Sequence, residues 1–215
     1  MCQLFLEGID NMIRSHFLRF SMLLALAFAS NAQAQSVDKA SAGTAQQPAQ
    51  YGPAFRKLEK GQAPHMKVQV LNHSKEETTY AVIFGKGDEV LAGLTEFAEE
   101  KHLGASRITG IGAIQDATLG WLDPQRKMYR LIPIAHQSEV LSLIGDIALL
   151  HGKPVIHAHM IVGYPDGSVH GGHLIDAHVW PTLEVIVTEY PNAMRKKMDA
   201  ESGMALIDPS VKTNN

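Results

Sequence analysis

The sequence is poor in the residues from which thiol chemistry, disulfide scaffolds and nucleic-acid interfaces are built. Its 215 residues include one cysteine, Cys2, so no disulfide can form within the chain. Aromatic residues make up 7%, no basic stripe interleaves with them, and the formal net charge is −3. These features give no basis for nucleic-acid binding. The sequence also lacks G-x-S-x-G, H-E-x-x-H and C-x-x-C, three common signatures of catalytic sites.

Residues 1–34 have the order of a cleavable signal segment. Arg14 and Arg19 supply a basic region, residues 20–29 are apolar, and Ala32-Gln33-Ala34 is a small-residue cleavage site. The apolar run is shorter than the roughly 20 residues that a membrane-spanning helix needs. Because acidic residues precede this pattern, we place the natural start at Met12. We therefore expect a periplasmic or secreted protein with no stable membrane anchor after cleavage, the alternative being an uncleaved amphipathic anchor.

The rest of the chain divides into a linker and one folded domain. Residues 35–64 begin with an Ala-, Gln- and Ser-rich stretch without apolar periodicity, which predicts a flexible linker. The domain is predicted over residues 65–210. Its residue pattern predicts strands at 66–72, 78–84, 105–122, 127–132, 139–150, 154–163, 169–175 and 183–189. Residues 204–207 either form a short final strand or fray.

One helix is predicted between the second and third of these strands. Val90, Leu94 and Phe97 recur at helical spacing, Asp88 is the predicted N-cap, and Gly104 is the predicted residue just beyond the C-terminus. A single helix among many strands predicts an α+β fold in which one main helix packs on one face of a sheet.

Three histidines are placed to share one face of a hairpin. Residues two apart in a strand point the same way, so His157 and His159 lie together, about 6.6 Å apart along the chain. Pro165-Asp166-Gly167 is a three-residue turn, and counting back along both strands from it sets His159 opposite His173. Three imidazoles on one face form the ligand set of an open zinc site, with a fourth position for water or substrate.

The same pattern leaves alternatives open. Seven of the eleven histidines fall between His136 and His178, so these histidines could instead be structural. A bulge at Gly171-Gly172 would shift the register, and His170 and His178 have the opposite parity to His173, which makes them weaker candidates. One carboxylate in this half of the chain could act as a base or as the partner of a ligand, and the spacing does not choose among Glu139, Asp146, Asp176 and Glu184.

Five segments share the pattern of a known family: the helix at 88–102 and residues 109–114, 139–145, 157–159 and 171–174. Together they resemble the PPC domain, the plants-and-prokaryotes-conserved domain, over about residues 65–190. Residues 199–204 resemble the family's closing segment. The resemblance implies an antiparallel β-sheet core and assembly as a homotrimer. For the bacterial stand-alone type it also implies a three-histidine metal site at His157, His159 and His173.

The sequence supports two interpretations of function. In the first, the chain is an exported PPC-domain protein whose divalent metal, zinc, serves metal-assisted chemistry on a small polar ligand or simply binds it. In the second, it is a non-catalytic binding or regulatory module, including the DNA-binding role attached to the family name. Plant members bind DNA through separate AT-hooks, whose Arg-Gly-Arg-Pro core is absent here. We therefore expect a homotrimer that does not bind nucleic acid.

Overall fold

The computed structural model describes residues 48–53 and 56–211. The predicted signal segment and residues 35–47 and 54–55 of the predicted linker lie outside them, and the division into signal segment, linker and domain stays a prediction. No helix in the described ranges is long and apolar enough to cross a membrane. The described elements, in chain order, are β1 (Tyr51–Gly52), β2 (Lys67–His73), β3 (Thr78–Phe84), α1 (Val90–Glu100), β4 (Ala105–Asp123), β5 (Met128–Ile134), β6 (Ser138–Leu150), β7 (Lys153–Gly163), β8 (Val169–Glu189), β9 (Lys196–Met198) and β10 (Ala205–Ile207).

Eight of the strands form one sheet around which the fold is organised. The strand order is β1-β5-β4-β6-β7-β8-β3-β2, and β9 pairs with β10 in a separate two-stranded ribbon. Strand β4 also pairs with β8, so β4, β6, β7 and β8 form a closed ring of hydrogen-bonded neighbours. Every ladder between these strands is antiparallel. The predicted α+β class, with an antiparallel core and one main helix, is confirmed.

The helix is fixed on the sheet by its apolar stripe. The helical residues that the structure buries are Val90, Ala92, Gly93, Leu94, Phe97 and Ala98. They pack over β7 and β8 and join a core that includes Phe84, Ile108, Leu143, Met160 and Val185. Burying one large apolar side chain stabilises a fold by about 1.5–3 kcal/mol. The stripe therefore holds α1 against the two strands that carry the histidines.

Both ends of α1 differ from the sequence prediction. The N-cap is Glu89 and not Asp88, because the Glu89 carboxylate accepts hydrogen bonds from the backbone N–H groups of the first turn. The buried Asp88 carboxylate instead accepts from the backbone N–H of Gly85, which closes the preceding turn, and from the backbone N–H of His65. Beyond the C-terminus, His102 and not Gly104 takes the left-handed conformation, with a φ of 54°.

The largest difference among the strands concerns β8. The sequence predicts two strands, 169–175 and 183–189, whereas the structure has one continuous strand, Val169–Glu189. Pro181 lies where the register with β4 shifts, between Val179 and Leu183. A residue that cannot donate a ladder hydrogen bond is accommodated at such a shift, and the strand passes through it. The short strand predicted near the end is present as β10, while its partner β9 was not predicted.

Part of the predicted linker contacts the folded domain. Strand β1 pairs with β5. The backbone N–H of Glu89 donates to the carbonyl of Gln62 over 2.8 Å. The Arg56 guanidinium lies 3.3 Å from the Glu89 carboxylate. Contacts with the domain therefore begin before residue 65, where the sequence pattern places its start.

Strands β7 and β8 diverge beyond the residue pair His159–His173. Their ladder runs from Gly163–Val169 to His159–His173, where the described pairing ends. Further along, β7 pairs with β6 while β8 continues along β4. A cleft opens between the diverging strands, with α1 on one side and the β9–β10 ribbon on another. The fold thereby places this opening directly beside the predicted histidines.

Candidate metal centre

The three predicted histidines meet at the mouth of this cleft. One ring nitrogen from each of His157, His159 and His173 lies within 4.8 Å of the other two. The ring centroids are 5.2, 5.4 and 5.6 Å apart, so no one ring is central. Nitrogens that share a tetrahedral zinc at about 2.0–2.1 Å lie about 3.4 Å from one another. Small side-chain rotations would therefore bring these three nitrogens onto one ion.

The hairpin turn fixes the register that assembles them. The N–H of Tyr164 donates to the carbonyl of Ser168 over 3.0 Å, and the N–H of Gly167 donates to the carbonyl of Tyr164 over 2.9 Å. Gly167 has a φ of 82°, the left-handed conformation that glycine adopts without strain. The β7–β8 ladder runs through Gly171-Gly172 without a register shift, so the bulge considered from the sequence is absent from this hairpin. His159 and His173 are direct cross-strand neighbours, as the turn predicts.

His173 is the most enclosed of the three. Its ring stacks on that of Tyr129, with centroids 4.4 Å apart and an interplanar angle of 6°. Burial, and after it the charges of His157 and His159, lowers the pKa of His173 to about 4. Its buried Nδ1 has no hydrogen-bond partner among the described residues. A buried polar atom left in this state costs free energy, and a metal ion would satisfy it. The site therefore fits a metal ion.

A glycine makes the stacking on His173 possible. Gly120 of β4 lies opposite His173 in the ladder. A Cβ atom added to Gly120 would lie 2.8 Å from Cδ1 of Tyr129, closer than such atoms approach. Any side chain at this position would displace the Tyr129 ring from the histidine. Burial also raises the pKa of Tyr129, so its hydroxyl stays protonated at neutral pH.

An ion pair supports His157 from the neighbouring strand. Asp146 lies opposite His157 on β6, and its Oδ2 is 3.3 Å from Nδ1 of the imidazole. Nζ of Lys196 lies 2.8 Å from Oδ1 of Asp146, and the Lys196 side chain is 1% exposed. Burial alone would raise the pKa of Asp146, but His157 and Lys196 outweigh it and hold that pKa below its usual value. The ionised carboxylate engages Nδ1 and leaves Nε2 of His157 free to bind a metal.

The other candidate residues do not join the cluster. His170 is exposed and packs edge-on against Tyr164, with ring centroids 5.1 Å apart. Nδ1 of His178 lies 2.6 Å from Oδ1 of Asp116. His159, by contrast, belongs to the cluster, and its partial burial lowers its pKa, with the charge of His157 as the second cause. Of the four carboxylates that the spacing could not distinguish, Asp146 contacts the cluster, and no such contact is present in the described structure for Glu139, Asp176 and Glu184.

Two contributors to the site were missed by the sequence analysis. Lys196 reaches Asp146 because β9 packs beside β6, and no local pattern in the chain indicates that contact. Tyr129 reaches His173 because β4 separates β5 from β8 in the sheet. Side-chain alternation along β5 gives the face of Tyr129 but not its neighbour. Knowledge of the strand order would have found Tyr129, whereas Lys196 needed the three-dimensional structure.

The cleft beyond the histidines has a volume of about 620 Å³. Sites for small organic ligands commonly measure about 300–1,000 Å³. The three histidines lie on its wall together with Tyr129 and Lys196, so the candidate metal centre and the cleft are one continuous site.

Comparison with known proteins supports a relationship to one family. No curated protein matches the chain. A solved structure from Bacteroides thetaiotaomicron, named a "putative DNA binding protein", is 27% identical with a TM-score of 0.60, covering 66% of this chain and 96% of that one. A plant- and prokaryote-conserved (PPC) protein from Pyrococcus horikoshii is 28% identical with a TM-score of 0.58, covering 69% and 96%. A metal-containing protein from Archaeoglobus fulgidus is 30% identical with a TM-score of 0.57, covering 66% and 96%.

One family model matches a range of the chain that is longer than any single motif of the site. The model of the Plants and Prokaryotes Conserved (PCC) domain matches residues 72–191, more than half of the chain. That range contains the hairpin, its turn and all three histidines of the cluster. The resemblance stated from the sequence is confirmed, and the chain belongs to the Plants and Prokaryotes Conserved domain family.

Proposed function

We propose that the protein binds a divalent metal ion, zinc, through His157, His159 and His173. The observation that carries the proposal is that one ring nitrogen from each of the three histidines lies within 4.8 Å of the other two. Nδ1 of His173 is, in addition, buried without a hydrogen-bond partner among the described residues. Imidazole nitrogens suit zinc, and three of them leave a coordination position open. The name of the metal-containing protein from Archaeoglobus fulgidus supports a bound metal.

The surrounding residues hold the imidazoles ready for the ion. Asp146 orients His157 through Nδ1, and Lys196 keeps the Asp146 carboxylate ionised. Tyr129 fixes the ring plane of His173. Bound zinc polarises a carbonyl group or lowers the pKa of a water molecule. The function proposed is therefore binding of a small ligand at a metal centre, with metal-assisted chemistry on that ligand as its enzymatic form.

We also propose that the protein is a homotrimer. Large apolar side chains are exposed on four adjacent strands, β4, β6, β7 and β8, as an interface between subunits requires. They are Ile111, Leu141, Ile144, Ile161 and Ile186, which are 37–61% exposed. Ile144 lies opposite His159 in the ladder, so this apolar surface adjoins the histidines. Light scattering should give a trimer mass at micromolar concentration, and a monomer mass would contradict the assignment.

Export and the lack of DNA binding complete the proposal. The signal-like pattern of residues 1–34 supports a periplasmic or secreted location, and the mature chain should begin Gln35-Ser36-Val37 on N-terminal sequencing. The name of the Bacteroides relative favours DNA binding as the second candidate function. The net charge of −3 disfavours it. A salt-sensitive, submicromolar affinity for duplex DNA would reverse this choice.

Metal content per chain tests the central proposal. The purified protein is dialysed against micromolar zinc, and its zinc content is then measured by elemental mass spectrometry. We expect one zinc per chain in the wild type and in His170→Ala, the matched control from the same hairpin. The triple alanine variant of His157, His159 and His173 should hold none. Stoichiometric zinc in that variant would refute the site.

A further inference from the structure

Apart from the Tyr129 phenol, the ionisable side chains that line the cleft are basic. They are the three histidines of the cluster, Arg56 and Lys196, and among the described residues no aspartate or glutamate lines it. Glu89 and Asp146 pair with Arg56 and Lys196 from outside the lining. A divalent ion at the histidines would add two positive charges that no carboxylate in the cleft offsets. The histidine end of the cleft is therefore complementary to an anionic group.

Away from the histidines the cleft walls are apolar. The apolar lining residues include Leu91 of α1, Ile156 of β7, Ile175 of β8, Leu206 of β10, and Leu58, which precedes β2. These residues come from five separate segments, so they surround a volume and do not form one flat face. Apolar walls that enclose a cavity favour a ligand that removes apolar surface from water.

Part of the cleft lining lies outside the range that the family model matches. Arg56 and Leu58 precede residue 72, while Lys196, Met204 and Leu206 follow residue 191. The flanking segments therefore contribute both apolar and basic groups to the cleft. They contribute to the lining of a site whose histidines belong to the matched domain.

We infer that the cleft binds an organic monocarboxylate, with its carboxylate at the histidines and its apolar body between α1, β7 and β8. The inference rests on the proposed metal centre, because the ion supplies the charge that the carboxylate meets. A wholly polar ligand, as expected from the sequence, would leave the apolar walls in water. A wholly apolar ligand would leave the charge of the proposed ion without a counter-charge in the cleft. A carboxylate with an aliphatic or aromatic body satisfies both regions.

Calorimetric titration of the zinc-loaded full chain tests the ligand class. Octanoate has both parts of the inferred ligand, acetate has the carboxylate without the body, and 1-octanol has the body without the charge. We expect octanoate to bind at least tenfold more tightly than either of the others. Zinc content is measured on the same samples.

Two neighbouring residues of β10 provide a matched pair of variants. Leu206 lines the cleft and is 50% exposed, while Ile207 is 43% exposed and does not line it. Leu206→Glu places a carboxylate on the apolar wall and should weaken octanoate binding at least tenfold. Ile207→Glu adds the same charge outside the wall and should change it less than twofold. Both variants should keep one zinc per chain.

The outcomes distinguish a failure of the inferred ligand class from a failure of the metal centre on which it depends. One zinc per chain without a preference for octanoate over acetate and 1-octanol would overturn the ligand class and leave the metal centre standing. An equal loss of affinity in the two β10 variants would also overturn it, because the effect would not come from the wall. A wild-type chain that holds no zinc would overturn both, since the carboxylate would have no ion to meet.

Discussion

Asp146→Asn should separate the metal affinity of the site from the stability of the fold. The substitution keeps the shape of the side chain and removes the charge that lies 3.3 Å from Nδ1 of His157. Loss of such a partner to a metal-binding histidine typically lowers metal affinity by about 10–100-fold. This corresponds to about 1.4–2.7 kcal/mol of binding free energy. We expect a weaker site that still binds one zinc.

The same substitution leaves Lys196 without its counter-ion. Breaking a buried ion pair from one side costs about 3–5 kcal/mol of unfolding free energy. The Lys196 side chain is 1% exposed, but that of Asp146 is 24% exposed, so we expect a loss near the lower end of this range. Lys196→Met removes the stranded charge. The double variant should therefore regain most of the stability lost by Asp146→Asn without regaining zinc affinity.

Two assays on the wild type, Asp146→Asn, Lys196→Met and the double variant separate the effect on zinc affinity from the effect on stability. Competition with a chromophoric chelator gives the zinc affinity, and urea unfolding of the metal-free chains gives the stability. A zinc affinity of Asp146→Asn within twofold of the wild type would show that the carboxylate does not support His157. If the double variant recovered the wild-type affinity, the effect would come from the charge of Lys196 alone, and the orienting role of Asp146 would be wrong.

Three further predictions follow from the site. Because the three ring centroids are nearly equidistant, His159→Ala and His173→Ala should each lower zinc affinity by more than the 10–100-fold expected for a supporting residue, in the same chelator assay. Because the pKa of His173 is about 4, its ring is already deprotonated where free imidazole titrates, and the lowered pKa of His159 means that its ring binds a proton less readily than a free imidazole does. If all three imidazoles released a proton on binding zinc, the logarithm of the zinc affinity would change by three for each pH unit. We expect a smaller slope between pH 7.5 and 5.5, and a slope of three would contradict these pKa values. Gly120→Ala should destabilise the fold by about 1–3 kcal/mol in urea unfolding, because its Cβ would overlap Tyr129, and an unchanged stability would contradict the close contact.

The histidine cluster was predictable because its geometry depends on local rules. Side-chain alternation places His157 and His159 on one face, and the turn at Pro165-Asp166-Gly167 determines which residue of β8 lies opposite. A shift of one residue would have sent His173 to the other face. The helix was predictable for a similar reason, since its apolar spacing is a property of a few neighbouring turns.

The parts that were missed depend on contacts between distant segments. Competition between Asp88 and Glu89 for the helix cap is decided by where each carboxylate finds N–H donors, which only the packed turn determines. The continuity of β8 through Pro181 depends on the register shift against β4. Lys196 meets Asp146 only because the β9–β10 ribbon packs beside β6. Each of these outcomes follows from ordinary physical chemistry once the strand order is known.

The β9–β10 ribbon links the two halves of the proposed site. Lys196 of β9 holds the charge of Asp146, which in turn supports His157. Leu206 of β10 lines the apolar wall of the same cleft, and Leu206 pairs with Lys197, the neighbour of Lys196. The ribbon therefore contributes both to the ion pair that supports His157 and to the apolar wall of the cleft. It lies outside the matched domain, although the three histidines lie within it.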